Sequence, residues 1–199
     1  MVSHDEIKND TIGMINHTKE MLEMIYEGFR KHKLSSIGKA EEVEEKLHKD
    51  SECLHKSILR EESNEDIKHF IPVPEHFDRT GDGLNKLFNA TKRKIREGIL
   101  FSDKSVKESY KLFDETLVLL NSVSDCISTS NGDLAKNLDG NGKRLCALAD
   151  EYAIFHEDRL IAGVCTPKSA PIYLDILESF RSVIWHVRKI LQEFFVELK

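Results

Sequence analysis

Two aspartates one helical turn apart, Asp78 and Asp82 in HFDRTGDGLN, are the residues of this chain whose type and spacing best suit chemistry. Four residues make about one turn, so both carboxylates leave nearly the same side of a helix. Like charges at that spacing repel by a few tenths of a kcal/mol, and Gly81 and Gly83 each cost about 1 kcal/mol relative to alanine. That local conflict is a hint of function. Asp50 is expected to join them. It lies between Leu47 and Leu54 on an apolar helical seam, where a carboxylate has to be neutralised, paired or bound to a cation. Three carboxylates in one groove, Asp50, Asp78 and Asp82, suit a hard cation or iron. Gly81 is expected to let the two helices come close. Ordinary ion pairs are the competing reading, with Lys46 one turn before Asp50 and Arg79 between the other two aspartates.

Other acidic and histidine groups carry less. Glu45–His48 and Glu52–His55 have the Glu-x-x-His form of di-iron bundles, but both sit on one helix and project away from its seam. In FHEDRL, His156, Glu157 and Asp158 are sequence neighbours that point apart, as in a charged helix end. There is no Ser/His/Asp arrangement, phosphate-cradling glycine loop or dinucleotide fingerprint. The expectation is a protein that is not an enzyme.

The elements that hold these residues read as helices throughout. The chain has 199 residues, a net charge of −6, 32% charged residues and only 4 prolines, a balance typical of helical proteins. Without a basic excess, nucleic acid is not the expected partner. There is no basic-then-apolar leader and no apolar run near the roughly 18 residues of a membrane span, so neither membrane insertion nor export is expected. Cys53, Cys126, Cys146 and Cys165 form no CxxC pair, which suits reduced thiols in the cytoplasm. Six helices are predicted, over about 4–32, 37–62, 74–98, 102–129, 133–162 and 171–199. SHDE and SVKE have the capping-box form. The fifth helix, with LCALADEYAIF, is apolar over much of its circumference and is expected to be central.

The first three helices match the last three. Shifting Phe77, Leu84, Phe88 and Ile95 by 103 positions gives Phe180, Val187, Leu191 and Leu198. Shifting Ile7, Met14 and Met21 by 99 gives Val106, Phe113 and Leu120. Asp50 maps on Asp150 at a shift of 100. The predicted fold is all-α, with two tandem three-helix bundles over 1–100 and 101–199.

A duplicated three-helix bundle with an acid-x-x-x-Asp motif in its third helix resembles the PhoU-like proteins, regulators associated with phosphate uptake. HFDRTGDGL is similar to their third helix through Asp78, Arg79, Gly81 and Asp82. ILFSDKSVKE is similar to the start of their second half, and SAPIYLDILESFRSVIWHV to their last helix. The resemblance implies a cytoplasmic regulator that contacts a protein partner, such as a phosphate transporter or its sensor kinase, as a monomer or a homo-oligomer. It also implies iron or zinc held by acidic motifs on the second and third helix of each half. By that reading the first half keeps Asp50, Asp78 and Asp82 but has Lys46 at an acidic position. The second half keeps Asp150 but has Cys146, Arg181 and Trp185 at its other three, with His186 beside them, so an Arg181–Asp150 ion pair is expected in place of a metal. A helical bundle that binds or buffers metal, unrelated to phosphate, is the alternative.

Overall fold

The apolar stripes become six long helices: α1 (His4–Lys31), α2 (Ala40–Leu59), α4 (Pro72–Arg96), α5 (Asp103–Thr129), α6 (Gly132–Ile161) and α7 (Ala170–Phe194), with a one-turn helix α3 (Glu65–Lys68) before α4. The computed structural model describes residues 2–61 and 63–198, and there is no strand among them. At α1, α3, α5 and α6 a side-chain oxygen accepts an otherwise orphaned N–H, whereas α4 and α7 carry in their first turn a proline that has no N–H to satisfy. At α1 the Ser3 hydroxyl accepts from the Glu6 amide at 3.2 Å while the Glu6 carboxylate accepts from the Ser3 amide at 2.7 Å. Asn64 caps α3 and Asn131 caps α6 in the same way. At α5 the cap is Ser102, which accepts from the Ser105 amide at 3.3 Å. Glu108 of SVKE is therefore released from capping and buried. The helices α4 and α6 run out at Gly98 and Gly163, whose φ values of 62° and 70° cost glycine nothing.

Within 1–100, α1, α2 and α4 all touch one another, and within 101–199 so do α5, α6 and α7. The halves meet chiefly along α4 and α7, where Phe77, Leu84, Phe180, Ile184 and Leu191 are all fully buried in one continuous core. Gly83 sets that approach: a β-carbon there would lie 2.9 Å from Val183 Cγ2 on α7. Gly81 does not set the α2–α4 approach, because a β-carbon there would meet Leu47 Cδ2 at an ordinary 3.7 Å.

The central helix is thus not α6. Ile154 and Phe155 are 60% and 42% exposed, since only the stripe through Ala135, Leu138, Leu145, Ala149 and Tyr152 turns inward. Apolar residues around a helix suggested burial on all sides, but α6 sits in the outer layer against α5 and α7. Among the described residues no helix is long and apolar enough to cross a membrane.

Candidate functional site

The helices α2 and α4 form a shallow groove lined by Glu44, Leu47, His48, Phe77, Asp78, Gly81 and Asp82. Two acidic-or-histidine pairs at one-turn spacing face each other across it, Glu44 with His48 and Asp78 with Asp82. His48 Nδ1 lies 3.3 Å from Asp78 Oδ1, and Arg79 Nη1 lies 3.6 Å from Asp82 Oδ2. Both pairs are substantially exposed, so each is worth little more than a fraction of a kcal/mol.

Asp50 is not in this groove. The buried seam of α2 runs through Val43, Leu47, Ser51, Leu54 and Ile58, so the place facing α4 belongs to Ser51. Its hydroxyl donates to the Pro74 carbonyl at 2.9 Å and ties α2 to the first turn of α4. One residue earlier, about 100° around the helix, Asp50 is half-exposed towards α1, with His17 Nδ1 at 3.2 Å. Burial, then the charge of Asp50, pushes the Asp10 carboxyl of α1 above its ordinary value. The three aspartates therefore do not converge, and among the described residues no group of three or more His, Cys, Asp or Glu stands close enough to hold a metal as placed. Both Glu-x-x-His pairs of α2 are exposed, as their spacing requires, but His48 reaches Asp78.

In the second half a cation fills the matching groove. Arg181 Nε and Nη2 donate to Glu178 at 2.8 and 2.7 Å, and Arg181 Nε stands 3.7 Å from Asp150 Oδ1. The expected contact exists, but the nearer partner is Glu178 and Asp150 is largely exposed, so burial of Asp150 is not its cause. Burial pushes the Cys146 thiol up, which keeps it protonated and a poor metal ligand.

Three polar clusters lie outside the predicted set. His76 of α4 and His186 of α7 bring their Nδ1 atoms to 3.1 Å. Asp139 of α6 gathers Arg188, Gln192 and Lys143. Glu108 of α5 gathers Arg159 and Tyr173, and His156 packs its ring 4.6 Å from that of Tyr173. His156, predicted to lie in a charged helix end, is buried; Glu157 and Asp158 are exposed. The available signal was polar residues on the apolar stripe of α6, Asp139 and His156.

Burial, then the neighbouring His76, holds His186 down at about 4, against an ordinary value of 6.5. A base whose folded pKa is depressed takes up protons more readily when unfolded. Its contribution to stability is complete above pH 6.5 and is lost as the pH falls to about 4. The expected loss from His186 is about 1–2 kcal/mol after allowance for its partial exposure. Urea unfolding of wild type and His186→Asn across that window should show a shallower fall for the variant; parallel profiles would count against this assignment.

No family model and no curated protein sequence matches the chain. Solved structures do. The crystal structure of PhoU from Pseudomonas aeruginosa aligns with a TM-score of 0.78 at 12% identity, covering 96% of this chain and 94% of that one. That of the phosphate transport system regulatory protein PhoU from Streptococcus pneumoniae aligns at 0.78 and 11% identity, covering 96% and 92%. The chain has the PhoU fold.

Proposed function

We propose that this chain is a PhoU-type regulator of phosphate transport, acting in the cytoplasm by contact with a transporter or its sensor kinase rather than by a reaction of its own. The observation that supports this reading is the fold, shared over nearly the full length of both chains with two PhoU proteins, one of them named for the phosphate transport system. The polar groups described above form ion pairs and hydrogen-bond networks, without a nucleophile–base pair facing a cleft. Affinity capture of the tagged chain from native lysate of phosphate-starved source cells, read by mass spectrometry, tests it. Enrichment of a phosphate-transporter subunit or a phosphate-responsive kinase is expected. Enrichment of neither over an untagged control would overturn the reading.

A second reading, metal binding in the α2–α4 groove, rests on its donor set. Asp78, Asp82, His48 and Glu44 line one groove and offer nitrogen and carboxylate oxygen, donor types of zinc and iron, although side chains would have to turn inward because no three of them converge as placed. Asp50 would take no part, being held on the α1 side. Metal analysis of wild type and Asp78→Asn/Asp82→Asn, purified without chelator, should show metal in the first and at least about a tenfold loss in the second. Equal content, or none in either, removes the site.

A further inference from the structure

One end of the bundle differs from the rest of the surface. The α4–α5 and α6–α7 loops meet there, with Cys165 Sγ 3.7 Å from Ser102 Oγ and Lys168 Nζ 3.9 Å from Glu97 Oε2. The end of α1 joins them, since Phe29 packs 6.0 Å from Phe101 and His32 Nδ1 lies 3.2 Å from Lys94 Nζ. From these adjoining loops and the end of α6, Leu100, Ile161 and Val164 stand 78%, 86% and 63% exposed. Their chain neighbours Ile99 and Cys165 are buried, so the loops are anchored beside the residues they turn outward. Single exposed aliphatics are ordinary; three at adjoining tips of one end are not.

The same end is basic. Residues 27–42, 92–108 and 157–170 hold 12 lysines and arginines against 8 aspartates and glutamates, of which Glu27 pairs with Lys31 and Glu108 with Arg159, in a chain whose net charge is −6. Arg30, Lys33, Lys39, Arg96, Lys104 and Lys168 are exposed there. Glu41 and Glu97 are engaged by Lys92 at 3.1 Å and Arg93 at 3.2 Å. Glu42, Asp103, Glu157 and Asp158 dilute the positive excess without reversing it. The remainder of the molecule must carry the balancing negative charge, and Asp5, Glu6, Glu65, Asp66 and Asp133 begin the helices of the far end. The long axis is therefore polar, basic with aliphatic tips at one end and acidic at the other.

We propose that this end seats on the surface of an anionic membrane, with Leu100, Ile161 and Val164 entering the headgroup layer and the surrounding arginines and lysines meeting lipid phosphates. Convex aliphatic tips ringed by cations match an anionic bilayer on both counts, with basic side chains each drawn to it and apolar ones gaining from the acyl boundary. Duplex nucleic acid would use the charge but leave the aliphatic tips in water. The acidic far end is repelled by the same surface, which stands the bundle upright on it. The inference needs neither phosphate nor a metal and goes beyond both readings above.

Co-sedimentation of the full chain with phosphatidylcholine vesicles, pure or about one-third phosphatidylglycerol, tests it. Partitioning should be at least about tenfold stronger on the anionic vesicles and should fall steeply between about 50 and 300 mM salt. Arg96→Ser/Lys104→Ser/Lys168→Ser should weaken it about a hundredfold, and Leu100→Ser/Ile161→Ser/Val164→Ser about tenfold or more. All six side chains are solvent-exposed, so circular dichroism melts should stay unchanged. Arg60→Ser/Lys136→Ser, away from this end, should bind as wild type does. Failure to sediment with anionic vesicles, equal sedimentation with neutral ones, or indifference to the aliphatic set alongside equal retention by duplex DNA would each overturn the proposal.

Discussion

Glu108→Ala is expected to lower the free energy of unfolding by about 3–5 kcal/mol, measured by urea denaturation followed by circular dichroism. Glu108 is fully buried in α5. It accepts from Arg159 Nη1 at 3.0 Å and Nη2 at 2.7 Å, and from the Tyr173 hydroxyl at 2.5 Å, so one carboxylate joins α5 to α6 and α7. Burial, then the bond to this carboxylate, pushes the Tyr173 phenol up, so the hydroxyl stays protonated and donates. Truncation to alanine leaves a guanidinium and a phenol without their acceptor in a site that water reaches poorly. The loss would come from the stranded partners, not from the net worth of the pair. The triple replacement Glu108→Leu/Arg159→Met/Tyr173→Phe should therefore recover most of the stability lost. A loss below about 1 kcal/mol for Glu108→Ala would show that the carboxylate is not buried as described.

Gly142→Ala is expected to destabilise by about 2–3 kcal/mol, against the gain of about 1 kcal/mol that helix propensity alone would give. A β-carbon at 142 would lie 2.5 Å from Arg188 Cγ and closer still to Cδ. A free arginine would swing aside, but this one is held. Arg188 Nε donates to the Asp139 carbonyl and Oδ1 at 3.2 and 3.1 Å, and Nη2 donates to Oδ1 at 2.9 Å. Asp139 is held in turn by Gln192 Nε2 and Lys143 Nζ, each at 2.8 Å. Burial opposes the charge on Asp139, and the bonds from Lys143, Gln192 and Arg188 outweigh it, leaving the carboxyl below its ordinary range. Gly140, two residues earlier, has open space where its β-carbon would go. Gly140→Ala should stabilise by roughly 0.5–1 kcal/mol, so the two alanines should differ in sign. Stabilisation by both in thermal melts would mean that α6 and α7 do not pack as closely as described.

Short-range physics was legible in the chain. The helical spacing of Ile7, Met14, Met21 and Ile25 marks α1, the hydroxyls of Ser3 and Ser102 mark the starts of α1 and α5, and the glycines at 98 and 163 mark the ends of α4 and α6, because helix formation depends on residues a turn or two away. The apolar seams of α4 and α7 were legible for the same reason, and they are the pair that meets at the centre. What one helix presents to another was not. The Leu47–Leu54 seam places Asp50 and Ser51 within one step of facing α4, and the position of α1 and the Pro74 carbonyl select Ser51. SVKE has a capping form, yet Glu108 is taken by Arg159 and Tyr173 from helices more than 50 residues away in sequence. Gly81 and Gly83 are equivalent to helix propensity, and only the closeness of Val183 makes the second one necessary. Local sequence determines which stripe of a helix is apolar to within about a residue, or roughly 100° of arc. The direction from which a partner approaches, and which polar group at the stripe's edge it pairs with, depends on side chains brought together by the whole bundle, and so is decided by the tertiary structure.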